Sequence, residues 1–437
     1  MTGLVLPFEG LPPLVRLLFW IAFALIVFGL VWTSALFAAS RRALAAAPAP
    51  ADGLVDEFLW VFLVPALNEE VTIVDSVDRL LEVEAANRAI VVIDDGSSDG
   101  TAAALASIES DELTVVRRTL PDARKGKAAA LNAAWRALDT TLATGRWAGW
   151  PREQVIVVVV DADGRLDPDV PRFAAARFAD PTVGGLQTLV RIYNRSRPLT
   201  WLQDVEFSVY GLLFQAGRTA LGTAGMGGNG QLNRLSALDS VADRSAGGPW
   251  RDRLTEDQDL GLRLLEAGWR CESDARVAVS QQGVPGVRRL LRQRTRWAQG
   301  NLQAMSHLRS AWSVERPLLA RLDLVAYLLQ PVLQAVIGVA FAVSIVLALT
   351  GVAGFWGDDG RLQLAFFFLL GFGGVVLGCI ARGARHGAFG ILRGLVVVPV
   401  YAAYSWLIWP VLTRAAARQL VRRRDWAKTA REPLGRT

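Results

Sequence analysis

VIVVVVDADGRLDP, residues 155–168, decides how the rest of the chain is read. Six consecutive β-branched residues run straight into Asp161, Ala162 and Asp163. An unbroken run of this kind suits a strand buried on both faces, as in a parallel sheet covered by helices. A solvated turn would account for one acid at its end. Two carboxylates one residue apart point opposite ways if the strand continues, but where the chain turns both can approach one ligand. Oxygen-rich, anionic sites of this type suit Mg2+ or Mn2+, which keep positions open for phosphate oxygens.

Similar runs recur along the chain. Strands are expected over 58–64, 89–93, 113–116, 155–160 and 183–190, alternating with helical patterns such as 71–83 and 127–138. Strand–helix alternation predicts an α/β domain with a mostly parallel, Rossmann-like sheet. Ligands in such sheets bind beyond the carboxyl ends of the strands, and that is where the acids fall. VPALNEE follows the first strand, IDDGSSDGT the second and DADG the fourth.

The apolar content, 52% of 437 residues, is concentrated outside this domain. Residues 17–39 are uncharged and long enough to cross a bilayer, and the residues before them lack the basic region of a signal peptide. An uncleaved anchor over 1–42 is expected, with Arg41 and Arg42 placing the following residues in the cytoplasm. Ala and Pro dominate a linker over 43–56. The soluble domain is expected over 57–283 and an Arg-rich amphipathic helix at the membrane surface over 284–316. Apolar segments 324–350, 362–381 and 388–412 occupy a membrane region over 317–413, and a basic tail closes the chain at 414–437. Three further crossings would put that tail outside, against the positive-inside bias. Segment 388–412, with Arg393, Pro399 and Pro410, is therefore expected to be re-entrant or interfacial.

The net charge of +6 invites a nucleic-acid reading, but the arginines crowd beside the apolar segments, so contact with anionic headgroups explains them better. Two distant cysteines, Cys271 and Cys379, suit a reducing compartment. The isolated His307 and His386 offer no zinc pattern.

Several stretches carry candidate chemistry. In IDDGSSDGT, Asp94 or Asp95 can face the cleft while Ser98 or Asp99 caps the next helix. KGKAAALN holds Lys125 and Lys127, two of only three lysines against 44 arginines. A compact ammonium at a helix start suits phosphate. LTEDQDLGLRL sets Glu256, Asp257 and Asp259 in a first helical turn, favourable for the helix dipole and also able to take a proton from a hydroxyl. GMGGNGQLNR, with Asn229 and Gly230, allows a ligand close to the backbone. QRTRW, with Gln293, Arg296 and Trp297, joins a guanidinium for phosphate to an indole that stacks on sugars or anchors at the bilayer.

Taken in order, VPALNEE, DDGSSDGT, GKAAALN, DAD, GGNG, TED and QRTRW resemble the membrane-bound family-two glycosyltransferases. That family includes cellulose, chitin, hyaluronan and poly-N-acetylglucosamine synthases and related lipid glycosyltransferases. The resemblance covers roughly residues 57–300 and implies a GT-A fold with inverting transfer from a nucleoside-diphosphate sugar, a UDP-sugar first among them. It implies that Asp95 contacts the nucleotide base, that Lys127 lies near the donor, and that Asp161 with Asp163 holds Mg2+ or Mn2+ and the diphosphate. By the same token Asp257 is the base, with Glu256 beside it. Asn229, Gly230, Gln293, Arg296 and Trp297 sit at the diphosphate and acceptor. RRRDWAKTARE resembles a gating loop in which Trp426, Thr429 and Arg431 cover the donor. The expected acceptor is a growing β-linked polysaccharide, with a lipid such as diacylglycerol, a ceramide-like lipid or polyprenyl phosphate as the alternative and an inactive sugar-binding protein as a further one. The protein is expected in the inner membrane as a multi-pass chain, with a homo-oligomer or an export partner open.

Overall fold

The computed structural model describes residues 11–243, 245–350 and 360–421. Eight strands form one sheet: β1 (Leu59–Ala66), β2 (Arg88–Asp94), β3 (Leu113–Arg117), β4 (Val155–Val159), β5 (Arg165–Leu166), β6 (Val183–Ile192), β7 (Gln231–Arg234) and β8 (Arg270–Gln281). Their order across the sheet is β3-β2-β1-β4-β7-β6-β8-β5. The first four run parallel, and β6 and β8 are also parallel, but β7 lies antiparallel between β4 and β6. The sheet is thus mixed and mostly parallel. β7 falls inside GMGGNGQLNR, where the glycines masked a four-residue strand.

The uninterrupted apolar runs are explained by burial on both faces. Trp60, Phe62, Val64, Ile156 and Val158 pack on helices Ile73–Leu81 and Val170–Phe178. Leu59, Val61, Leu63, Val157 and Val159 face helices Lys127–Ala143 and Glu256–Glu266. Each large side chain so buried stabilises the fold by roughly 1.5–3 kcal/mol. In the central strand β4 every residue is buried and contributes, whichever way it points, whereas the edge strand β3 is largely exposed.

The segment expected as one amphipathic helix over 284–316 is divided into Val287–Ala304, a tight turn at Met305–His307 and Leu308–Ser313. Its inner face also differs from the apolar pattern. Val287 is half exposed, whereas Thr295, Ala298, Gln299 and Gly300 are buried. The reason is that protein covers this helix, including Val411, Leu412 and Ala415 of a later helix, so small and polar residues are drawn inside.

Among the described residues, three stretches are long and apolar enough to cross a membrane: Pro13–Ala45, Leu318–Leu347 and Gly371–Leu420. The last contains parts of three helices, Gly360–Gly383, Gly387–Ser405 and Ile408–Leu420. Segment 388–412 is broken at Trp406 and Leu407. Both ends of Gly387–Ser405 lie beside the α/β domain. Arg385, just before it, lies within electrostatic reach of Asp167 and Arg191, and Tyr404 near its end donates to Glu206 at 2.8 Å. Helix Ile408–Leu420 then returns to Val287–Ala304, where Arg418 donates to Gln299 at 3.2 Å.

Candidate active site

Parallel pairing aligns the carboxyl ends of β1, β2 and β4 on one edge, with Leu63 opposite Val159 and Ala66 opposite Asp94. The loops there are bonded to one another. Asn68, held at φ +53°, accepts the Ser98 N–H through its side-chain oxygen at 2.8 Å. Glu69 donates its N–H to the Thr101 hydroxyl at 2.8 Å, and Glu70 accepts the Gly100 N–H at 2.6 Å. LNEE and DDGSSDGT thus form one platform. Within it Asp94 accepts the Ser97 N–H at 2.9 Å and lies 3.7 Å from Arg117. Asp95 is bound by the Arg118 guanidinium and by the backbone N–H of Arg124. Burial raises its pKa despite Arg118.

Lys127 and Asp161, thirty-four residues apart, meet at 2.5 Å. The Lys127 ammonium is also 3.9 Å from Glu256. Asp257 closes the group. A Cβ placed on Gly228 would lie 2.7 Å from an Asp257 carboxylate oxygen and 3.5 Å from the Lys127 nitrogen, so the two flank the same backbone point. Gly228 has φ +81°, a conformation that costs a side-chain-bearing residue about 1–2 kcal/mol. DAD, KGK, GGNG and TED therefore converge on one cleft. Lys125 does not join them; it pairs with Asp122 on the surface at 3.0 Å.

The two acids of DAD diverge. Asp161 faces Lys127, whereas buried Asp163 accepts the Gln282 N–H at 3.0 Å beyond the end of β8. Asn229 braces the turn between them. It accepts the Asp161 N–H at 3.0 Å and donates to Gln281 at 2.9 Å. Gly230, in the turn just before β7, donates to Val159 at 2.9 Å and accepts from Thr188 at 3.0 Å.

Electrostatics mark the TED acids. Burial pushes Glu256 up to about 7, and the neighbouring Asp257 charge adds to this, while Lys127 and Arg296 oppose it. Asp257 is also raised by burial, with Lys127, the Gln258 N–H and Arg296 holding it back. Burial alone would lower Lys127, but Asp161, Glu256 and Asp257 outweigh it and keep it charged. Such a site holds one fixed cation beside an acid pair that gains or loses a proton near neutrality.

Of QRTRW, Arg296 acts on the acids through its charge. Trp297 packs edge-on against Phe207 with ring centres 6.1 Å apart, beneath the Arg294 guanidinium at 4.1 Å. The side-chain amide oxygen of Gln293 is buried without a hydrogen-bond partner. The sequence reading missed Gly300. A Cβ there would fall 2.4 Å from the Thr255 hydroxyl, so its absence lets the QRTRW helix touch TED. It also missed Arg118, Arg124 and Gln303, the last accepting the Leu254 N–H at 3.3 Å. Trp426, Thr429 and Arg431 lie outside the described residues.

Asp161 and Asp163 offer only oxygen donors, which suits Mg2+ or Mn2+. Among the described residues no group of three or more His, Cys, Asp and Glu could hold a metal ion. Phosphate oxygens of a bound donor would have to complete the coordination.

A family profile described as Glycosyltransferase like family 2 matches residues 60–300. Beta-monoglucosyldiacylglycerol synthase of Synechocystis sp. is 32% identical over 277 residues, 61% of this chain and 53% of that protein. Poly-beta-1,6-N-acetyl-D-glucosamine synthase of Staphylococcus aureus is 29% identical over 260 residues, 57% of each. The chain thus spans about half the length of the relatives it matches. A mannosyltransferase from Pyrobaculum calidifontis, solved in complex with GDP-Man and Mn2+, shares the fold. Its TM-score is 0.60, at 22% identity over 93% of this chain and all of that one.

Proposed function

The chain belongs to glycosyltransferase family 2, and from that premise we propose that it moves a hexose, with inversion, from a nucleoside-diphosphate sugar to an acceptor hydroxyl at the membrane surface. The observation that carries this reading is the convergence of Lys127, Asp161, Glu256 and Asp257 around Gly228. Asp257 is assigned as the base. The acceptor oxygen attacks the anomeric carbon on the face opposite the diphosphate while its proton passes to the Asp257 carboxylate. The bond from that carbon to the diphosphate oxygen breaks, and its electron pair leaves with the diphosphate. A positioned base contributes about 10²–10⁴-fold. Lys127 stabilises the departing charge, and Asp95, with Asp94 behind it, lines the base-binding side. A divalent ion held by a DAD carboxylate, with Asp161 turned from Lys127 toward Asp163 and the donor's phosphate oxygens completing the shell, would neutralise the leaving diphosphate. Arg296 and Trp297 take the diphosphate and acceptor sides.

The first reading of the acceptor is a growing β-linked polysaccharide. A lipid hydroxyl is favoured by one observation: the rim beside Trp297 is built from Phe207, Glu206 and Tyr404, the last on a helix of the membrane region. The topology proposed is multi-pass in the inner membrane with the catalytic domain cytoplasmic. Crossings at Pro13–Ala45, Leu318–Leu347 and Gly360–Gly383, followed by Gly387–Ser405 along the surface, leave the tail inside.

The test is donor turnover by membranes supplied with labelled nucleotide sugars, followed by sizing of the product. Asp257→Asn is expected to bind donor and to lose at least 10²-fold in turnover; wild-type turnover in that variant would falsify the base assignment. A single organic-soluble glycolipid product selects the lipid acceptor over the polymer.

A further inference from the structure

The residue after the proposed base is tied to the membrane helices by an unbroken set of contacts. Asp257 accepts the Gln258 N–H at 2.8 Å. The Gln258 amide is itself fixed at both ends: its oxygen accepts the Thr255 hydroxyl at 3.1 Å, and its nitrogen donates to the Tyr327 hydroxyl at 2.8 Å. Tyr327 lies on helix Leu318–Leu349, with the Arg218 guanidinium 4.6 Å from its ring centre. One turn earlier on that helix, Asp323 binds Arg218 at 2.7 Å and accepts the indole N–H of Trp32 at 2.8 Å. Trp32 belongs to helix Pro13–Ala45.

Asp323 is fully buried and Arg218 is 7% exposed. Removing two such charges from water is costly, and an apolar pair of similar size would often serve stability as well. What an ion pair with one geometry adds is positional definition. Here it fixes two membrane helices and the ring whose hydroxyl orients Gln258. The same Gln258 peptide unit donates to the base.

We propose that Gln258 and Tyr327 are positioning residues for Asp257, and that Arg218, Asp323 and Trp32 carry that positioning from the membrane helices to the reacting carboxylate. This rests on the transferase reading above. Near-attack geometry tolerates little displacement, so loosening Gln258 lowers turnover while leaving the donor contacts at DAD intact.

The test uses the full-length protein in proteoliposomes. Tyr327→Phe keeps the ring under Arg218 and removes only the hydroxyl. The expected result is a folded variant with kcat down about fivefold to tenfold, donor KM within about twofold of the wild type, and a displaced acidic limb in the kcat–pH profile. Trp32→Phe, remote from the cleft, is expected to lower kcat in the same selective way by a smaller factor, and it decides the matter if Tyr327→Phe does not fold. A stable variant with wild-type kcat and an unmoved limb overturns the proposal, as does a fall in folded fraction with unchanged kcat per folded molecule. The wild type is run beside each variant. An inactive wild type overturns the transferase reading and this one with it, whereas an active wild type matched by its variants overturns this one alone.

Discussion

Replacing Lys127 by methionine tests the electrostatic core of the site. Its ammonium is 3.9 Å from Glu256, and the two side chains are 21% and 13% exposed. At that separation a unit charge pair is worth roughly 4 kcal/mol where the effective dielectric constant is about 20, and roughly 1 kcal/mol in water. The site lies between these limits, so Lys127 favours the ionised acid by about 1–4 kcal/mol, corresponding to roughly one to three pH units. The sign follows directly. Without the cation, the Glu256–Asp257 pair, where burial already lifts Glu256 to about 7, keeps its proton to still higher pH. The acidic limb of kcat/KM should therefore move upward by at least about one pH unit, on top of a general loss from weaker donor binding. Lys127→Arg keeps the charge, and its limb should stay within about half a unit of the wild type. The assay is initial-rate sugar transfer between pH 5.5 and 9.5 at constant ionic strength. A limb in Lys127→Met that stays in place or moves down would refute the reasoning, whatever the height of the plateau.

Two further outcomes follow from the geometry. Gly228→Ala brings a Cβ to 2.7 Å from Asp257 and demands positive φ; turnover should fall about 10–100-fold with donor affinity largely kept, and normal turnover would argue that Asp257 does not act from this position. His307, bonded to Glu266 at 2.7 Å and Asp259 at 3.1 Å, is raised from 6.5 to about 9, because those carboxylates outweigh its burial. The folded pKa exceeds the unfolded one, so the stabilisation is complete below pH 6.5 and is lost as pH rises through 9. Relative to His307→Gln, the wild type should gain about 3 kcal/mol more at pH 6 than at pH 9.5 in denaturant unfolding; a difference constant across that range contradicts it.

Much of the site was legible because its chemistry is local. DAD ends a strand whose six β-branched residues admit little else, and TED opens a helix whose leucines recur at helical spacing. The rarity of lysine singled out the KGK pair, but composition could not say that Lys127 enters the cleft while Lys125 pairs with Asp122 outside it. That depends on the direction of each side chain about one helix start. The resemblance set Asn229 on the ligand side; what the sequence could not show is that its amide also links the Asp161 N–H to Gln281, a contact between segments far apart in the chain.

By itself the sequence determined the strand–helix alternation, the apolar segments at both ends and the order of the acid-bearing motifs, since periodicity and local turn chemistry act over a few residues. Tertiary structure alone decided that β7 runs against its neighbours, that Gly300 brings the QRTRW helix onto TED, and that Asp323, 105 residues from Arg218, completes a buried ion pair. Those are contacts between distant segments, fixed by which surfaces exclude water together, and no local pattern encodes them.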